Sequence, residues 1–343
     1  TAFEPPEFPA RDTTFAARIR ALSHPETGPH ADNFLTNEDS FLRVADDLAE
    51  RFPAGSVYLG VGPDQNFSYL AHARPSWAFI LDYRRRNTRL HLLHKALFAL
   101  RRDRAEYLSW LLARQPRPLP PGASASDLVE AFLDRPMEAD LLAQARGEVE
   151  RYLRPLGILD DAEWEDLWSI QARLAGPGLN ARFLALPIYP TFSQLIQARS
   201  RRGGFAHLLA DETRFARVRR LQLEDRIIPL VADFSREATL STLSGWLRAR
   251  GLRVGALYIS DVEFFLFRAK RPSWSNYLGN LESLPWAEGA VLIRSSTREI
   301  MHPERITPDH STTILRPVSQ FFKLEHERRI QSIDDLFIQP GET

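Results

Sequence analysis

The stretch from Ser56 to Asn87, SVYLGVGPDQNFSYLAHARPSWAFILDYRRRN, limits the fold more than any other part of the chain. It reads as a strand over Val57–Val61, a turn through Gly60, Gly62 and Pro63, and a helix over about 66–73 that Pro75 ends. A second strand, WAFILD, then runs from Trp77 to Asp82. Its apolar residues do not alternate, which is the pattern of a strand buried on both faces of a parallel sheet. Two such strands joined by a helix form a βαβ unit. The glycines let a backbone turn come close to a ligand, and the helix that follows aims its free N–H groups there.

The rest of the chain sorts around this unit. A helix is predicted over 37–52, capped by Thr36 or Asn37, with Glu38 and Asp39 in its first turn. From about 87 to 225 there is almost no strand signal. This span reads as a helical insertion or cap, with a linker at PRPLPPGASAS, Ser126 as a helix cap and a mobile loop at RRGGF. Strand patterns return at RIIPLVADF (226–234), RVGALYIS and GAVLIRSS, and a helix between the first two is capped by Ser235 and stopped by Gly251. STTILRPVSQFFKL alternates and reads as an edge strand, where Pro317 is tolerated. The expected architecture is α/β: a doubly wound, mostly parallel sheet made from 37–86 and 226–343, a helical insertion over 87–225 and an N-terminal extension over 1–36.

Composition narrows the chemistry. Lys+Arg and Asp+Glu both number 44, so no global charge draws the chain to nucleic acid or anionic lipid. There is no cysteine, which excludes disulfides, thiolate metal sites and cysteine nucleophiles. No apolar run reaches the roughly 18 residues of a membrane span. The expected partner is a small molecule, and oligomeric state is not legible. The first residue is Thr1. The expectation is a cytoplasmic protein, with export after loss of a signal peptide as the alternative.

Three strands in succession end on acids: Asp82, Asp233, and Ser260-Asp261-Val262-Glu263. Open α/β sheets bind ligands at that carboxyl edge. Asp82 stands 22 residues after Gly60, near the spacing at which an acid accepts hydrogen bonds from ribose hydroxyls. It reads equally as a strand-end aspartate paired with Arg84, Arg85 or Arg86.

The order VYLGVG, AFILD, LVADF, LYISDVEFF resembles the class I S-adenosylmethionine methyltransferases over about 37–82 and 226–296. The opening also looks like that of an uncharacterised bacterial family. The methyltransferase resemblance implies S-adenosylmethionine as cofactor. It places the Gly60-Val61-Gly62 turn with Asp64 at the methionine part, Asp82 and Tyr83 at the ribose, and Asp233 and Phe234 at the adenine. Ser260 would face the methyl group, with Asp261 or Glu263 taking a proton from an acceptor. Methyl transfer needs alignment more than an acid–base dyad, since orientation alone supplies on the order of 7–11 kcal/mol.

The chain departs from that pattern at two positions. Tyr58 replaces an acid and Asp64 replaces a small residue, and Asp64 would repel the cofactor's carboxylate while suiting its ammonium. The insertion is also longer than usual. These departures support an alternative, a non-catalytic ligand-binding protein that kept the frame. A nicotinamide enzyme fits less well, because the turn is GxGxD rather than GxGxxG. His72, His91 and His94 lack a zinc-protease spacing and carry no metal expectation.

Overall fold

The computed structural model describes residues 13–27, 33–269, 272–297, 304–306 and 308–337. Parts of the expected N-terminal extension, 1–12 and 28–32, lie outside them. Within that extension α1 (Thr13–Leu22) buries Phe15, Ile19 and Leu22 and packs on the sheet edge.

A short α2 (Ala45–Arg51) leads to β1 (Val57–Val61), α3 (Gln65–Ala73) and β2 (Trp77–Asp82). Seven helices then precede β3: α4 (Arg85–Leu100), α5 (Arg104–Leu112), α6 (Ala125–Phe132), α7 (Ala139–Leu153), α8 (Asp161–Ala175), α9 (Phe192–Ile196) and α10 (Glu212–Leu223). The chain continues through β3 (Ile227–Val231), α11 (Ser241–Arg248), β4 (Val254–Ser260), α12 (Val262–Arg268) and α13 (Ser273–Ser283). It closes with β5 (Trp286–Ser296), β6 (Thr312–Pro317) and α14 (Val318–His326).

The six strands form one sheet in the order β3-β2-β1-β4-β5-β6. Every neighbouring pair is parallel except β5 with β6. The chain is therefore α/β with a mostly parallel sheet. All residues of β1 and β3 are buried, in keeping with a sheet covered by helices. From β1 the strands run outward to β3 on one side and restart at β4 on the other. The winding thus reverses between β1 and β4, and at such a point the loops leave the sheet in opposite directions and open a crevice. No helix among the described residues is long and apolar enough to cross a membrane.

The span 87–225 is helical as expected, and its first and last helices lie in the sheet's own packing. The first, α4, touches β2 and β3, and α10 lies against α3 and α4. Caps explain several helix starts. Asp103, Asp160 and Asp211 each accept a backbone hydrogen bond in the first turn, and Ser124 forms a capping box with Asp127. Ser124, not the expected Ser126, caps α6; Ser126 lies inside the helix and donates to Gln197.

Three other expectations are corrected. The helix predicted over 37–52 starts only at Ala45, because 38–40 bond elsewhere: Asp39 accepts from the backbone of His310 and Ser311, and the Ser40 N–H donates to Ser311 Oγ. Ser235 is not a cap, since its N–H and hydroxyl both donate to Asp233 and α11 begins six residues later. The expected edge strand after 311 stops at Pro317, where α14 begins.

Candidate functional site

The crevice between β1 and β4 is built from the glycine turn, the end of β4 and the incoming segment 36–40. Asn66 organises the turn. It is fully buried; its Nδ2 donates to the carbonyls of Val61 (2.9 Å), Pro63 (2.9 Å) and Gly62 (3.3 Å), and its Oδ1 accepts from Tyr58 (2.9 Å). This accounts for Gly60: a Cβ there would lie 2.0 Å from Asn66 Oδ1 and 2.7 Å from the Tyr58 hydroxyl. The close approach that glycine permits is made by the protein's own side chains. Gly62 has φ +80°, a conformation other residues rarely hold. We expect Gly60→Ala to lower stability by about 1–3 kcal/mol through overpacking. Gly245→Ala, in an open position of α11, should raise it by about 0.5–1 kcal/mol through helix propensity. Urea denaturation of the two variants tests this contrast.

The Gly62 carbonyl is also the meeting point of α4. It accepts from Asn87 Nδ2 at 3.1 Å and from His91 Nε2 at 3.0 Å. A carbonyl only accepts, so both orientations are fixed. Asn87 then presents Oδ1, and neutral His91 presents an unprotonated Nδ1. Burial pushes the His91 imidazolium down to about 4, so the neutral form persists near pH 7. Neither atom has a hydrogen-bond partner among the described residues. The same is true of Asp64 Oδ1 and Gln65 Oε1. Burial pushes the Asp64 carboxyl up to about 7, against hydrogen bonds from the backbone at Thr36 and Gln65 that favour its charge. Gln65 Nε2 donates to Tyr258 at 3.1 Å, and the Tyr258 hydroxyl donates to Glu38 Oε2 at 2.8 Å.

Glu38 is the principal site residue that sequence reasoning missed. It is 1% exposed and has no cationic partner among the described residues; Tyr258 and Ser260 hydroxyls hold its two oxygens. Burial pushes its carboxyl up to about 7, and the nearby charge of Asp261 adds to the rise. Burial raises Asp261 as well. Ser260, at the end of β4, holds φ +55°, which is strained for a side-chain-bearing residue. The helix-start reading placed Glu38 in a solvated first turn. Gln65 and Asn87 were missed too, and their only signal was the run of polar residues around a glycine turn that is otherwise apolar.

The remaining predicted residues are occupied. Asp82 is 7% exposed; Arg84 binds it through Nε (2.8 Å), Nη2 (2.7 Å) and its backbone N–H (2.9 Å), using both carboxylate oxygens. This is the arginine pairing left open above. Tyr83 is half-buried, under the Arg84 guanidinium, and its carbonyl accepts from Thr27. Asp233 accepts from Thr27, from the Ser235 N–H and hydroxyl, and lies 3.7 Å from Arg236. Phe234 is buried against Tyr277. Glu263 is 2% exposed and bound to Arg294 and, at 2.6 Å, to the Tyr277 hydroxyl, so both oxygens face inward partners.

The structure thus gathers Gly60, Val61, Gly62, Asp64, Ser260 and Asp261 at the β1–β4 crevice, with Glu38 and Gln65 added. Asp82, Asp233 and Glu263 are committed to neighbours. Two cavities, of about 620 and 290 Å³, are lined by none of these residues. His72 meets the Ala206 carbonyl and His94 meets Tyr107, and no group of three metal-type side chains occurs among the described residues.

No curated protein matches the chain. Residues 34–173 and 180–338 match the family described as Domain of unknown function (DUF7790), and the chain belongs to that family.

Proposed function

We propose that this chain binds a small molecule through a primary ammonium group at the Gly62–Gln65 turn, in a methyltransferase-like frame that has lost its grip on the nucleoside. The observation that carries the reading is chemical. Four buried acceptor atoms on residues that form or bond to this turn, Asp64 Oδ1, Gln65 Oε1, Asn87 Oδ1 and His91 Nδ1, have no donor among the described residues. Buried polar groups seldom stay unpaired, so the complement is a compact donor. An ammonium supplies three N–H bonds and the charge that a buried carboxylate needs. The segment 36–40 is tied to the crevice through the Tyr258–Glu38 bond, and the backbone at Thr36 acts on the Asp64 carboxyl. Entry of the ligand therefore displaces it.

S-adenosylmethionine fits this turn at its amino end only. The acid expected at the ribose, Asp82, has both oxygens bound by Arg84. Methyl transfer stays as a second reading on one observation, the raised carboxyls of Glu38 and Asp261 beside strained Ser260 at the end of β4.

Calorimetric titration with S-adenosylhomocysteine, homocysteine, ethanolamine and adenosine separates the readings. On the proposal, the amines bind within a few-fold of one another, adenosine does not, and Asp64→Asn removes the binding. Affinity should fall about tenfold per pH unit below 7 as Asp64 takes up a proton. If S-adenosylhomocysteine binds about a hundredfold tighter than homocysteine, the methyltransferase reading replaces it. If no amine binds at about 10 mM, or crystals show only waters on the four acceptors that amines do not displace, the ammonium site is refuted.

A further inference from the structure

A second feature lies at the opposite edge of the sheet, independent of the crevice. Arg74 ends α3 and Pro75 leads into the amino end of β2. Between these residues and α10 runs a cavity of about 620 Å³. Its walls divide by chemistry. Leu70, Pro75, Ala216 and Leu221 give it an apolar side; Arg74, Arg217 and Arg220 give it a cationic one.

Acids do little to balance these arginines. Among the described residues the side chain of Arg74, exposed on a backbone at φ +52°, has no hydrogen bond or ion pair. Arg217 donates one N–H to the Ala71 carbonyl at 3.2 Å. Arg220 lies 3.7 Å from Glu224. The acid in the cavity wall, Glu212, is bound by Arg104 at 2.9 Å, and Asp211 is bound by Arg214. Burial lowers the Arg217 pKa, the charges of Arg74 and Arg214 add to that, and Asp211 opposes them. Like charges held together at the mouth of a cavity repel one another until an anion enters. A guanidinium fork presents parallel N–H groups that match phosphate oxygens.

We propose that this cavity is a binding site for an organic phosphate whose apolar body packs on Ala216 and the edges of Pro75 and Leu221 while its phosphoryl group lies between Arg74 and Arg217. The apolar wall distinguishes such a ligand from inorganic phosphate, and the forked donors distinguish it from a neutral aromatic.

Phenyl phosphate is the probe, followed by calorimetry and by ³¹P line broadening at constant ionic strength, with inorganic phosphate, phenol and benzylamine as comparators. Phenyl phosphate should saturate one site per chain with at least about tenfold higher affinity than inorganic phosphate or phenol. Benzylamine should not bind there. Arg74→Gln, at an exposed position, should weaken phenyl phosphate about tenfold or more without changing Tm, and Arg217→Lys should weaken it while keeping the charge. The proposal is overturned by an absence of saturable binding at about 10 mM, or by equal binding to the wild type and the Arg74→Gln, Arg220→Gln double variant. Asp64→Asn leaves this site unchanged, so failure here and failure of the ammonium site are separate results.

Discussion

Replacing Arg294 by Met should lower the stability of the chain by about 3–5 kcal/mol, the cost of stranding one member of a buried ion pair. Arg294 lies on β5 at 2% exposure, bound through Nε and Nη2 to Glu263, with Phe321 under its guanidinium at 4.9 Å. Without it, the Glu263 carboxylate keeps one neutral donor, the Tyr277 hydroxyl, in a site closed to water. The pair as a whole is a different matter, because two desolvated charges roughly cancel what they gain from each other. The double variant Arg294→Met, Glu263→Met should therefore recover most of the loss. Urea denaturation with a check that the slope is unchanged measures both. A single-variant loss under about 1 kcal/mol would mean that water reaches the pair. The same double variant should still bind amines at the glycine turn, since Glu263 faces Arg294 and not the crevice.

The parts of this fold visible in the sequence were those fixed by local physics. Val57–Val61 and Trp77–Asp82 are strands because their apolar runs are too short and too continuous for anything but a covered sheet. Glycine and proline marked the turn between them. Sequence could not show what each polar group would face. Asp82 ended its strand as expected, yet whether a ribose or Arg84 would meet it depended on the rotamer of a residue two positions on. Glu38 had the spacing of a first-turn helix acid. Instead, Asp39 and Ser40 bond to residues 310–311, some 270 positions away, so residues 39–44 form turns rather than a helix start and Glu38 meets Tyr258. Arg294 sat in an otherwise apolar strand, and its partner came from the other side of the β4–β5 pair. Long-range pairing of this kind leaves no periodic trace.

Stability should vary little between pH 6 and 8, because two named carboxyls and three buried histidines titrate over that range with opposite signs. Glu38 and Asp64 are each pushed up to about 7 in the folded chain, from ordinary values of 4.5 and 3.8. Between those values and about 7 the folded state holds more protons than the unfolded one, so each carboxyl loses stability as pH rises. The buried histidines act in the opposite sense. Burial lowers His91 to about 4 and His94 and His207 to about 3, from 6.5, so the unfolded state takes up their protons first and acid destabilises. The two effects oppose each other up to about pH 7.5, because the unfolded histidines release their protons around 6.5. Between pH 6 and 8 the carboxyls should lose about 2–3 kcal/mol and the histidines return a similar amount, so the net change should stay under about 1 kcal/mol. Glu38→Gln and Asp64→Asn should each remove about 1 kcal/mol of the carboxyl loss and make stability rise from pH 6 to 8, while His94→Phe should remove part of the histidine gain and make it fall. A saturating amine should have the same effect at pH 8 as Asp64→Asn, because a bound cation stabilises the charge that burial opposes. A slope from pH 6 to 8 that both amide variants leave unaltered would mean that the carboxyls at the turn are already solvated and that the four acceptors have water as their donor.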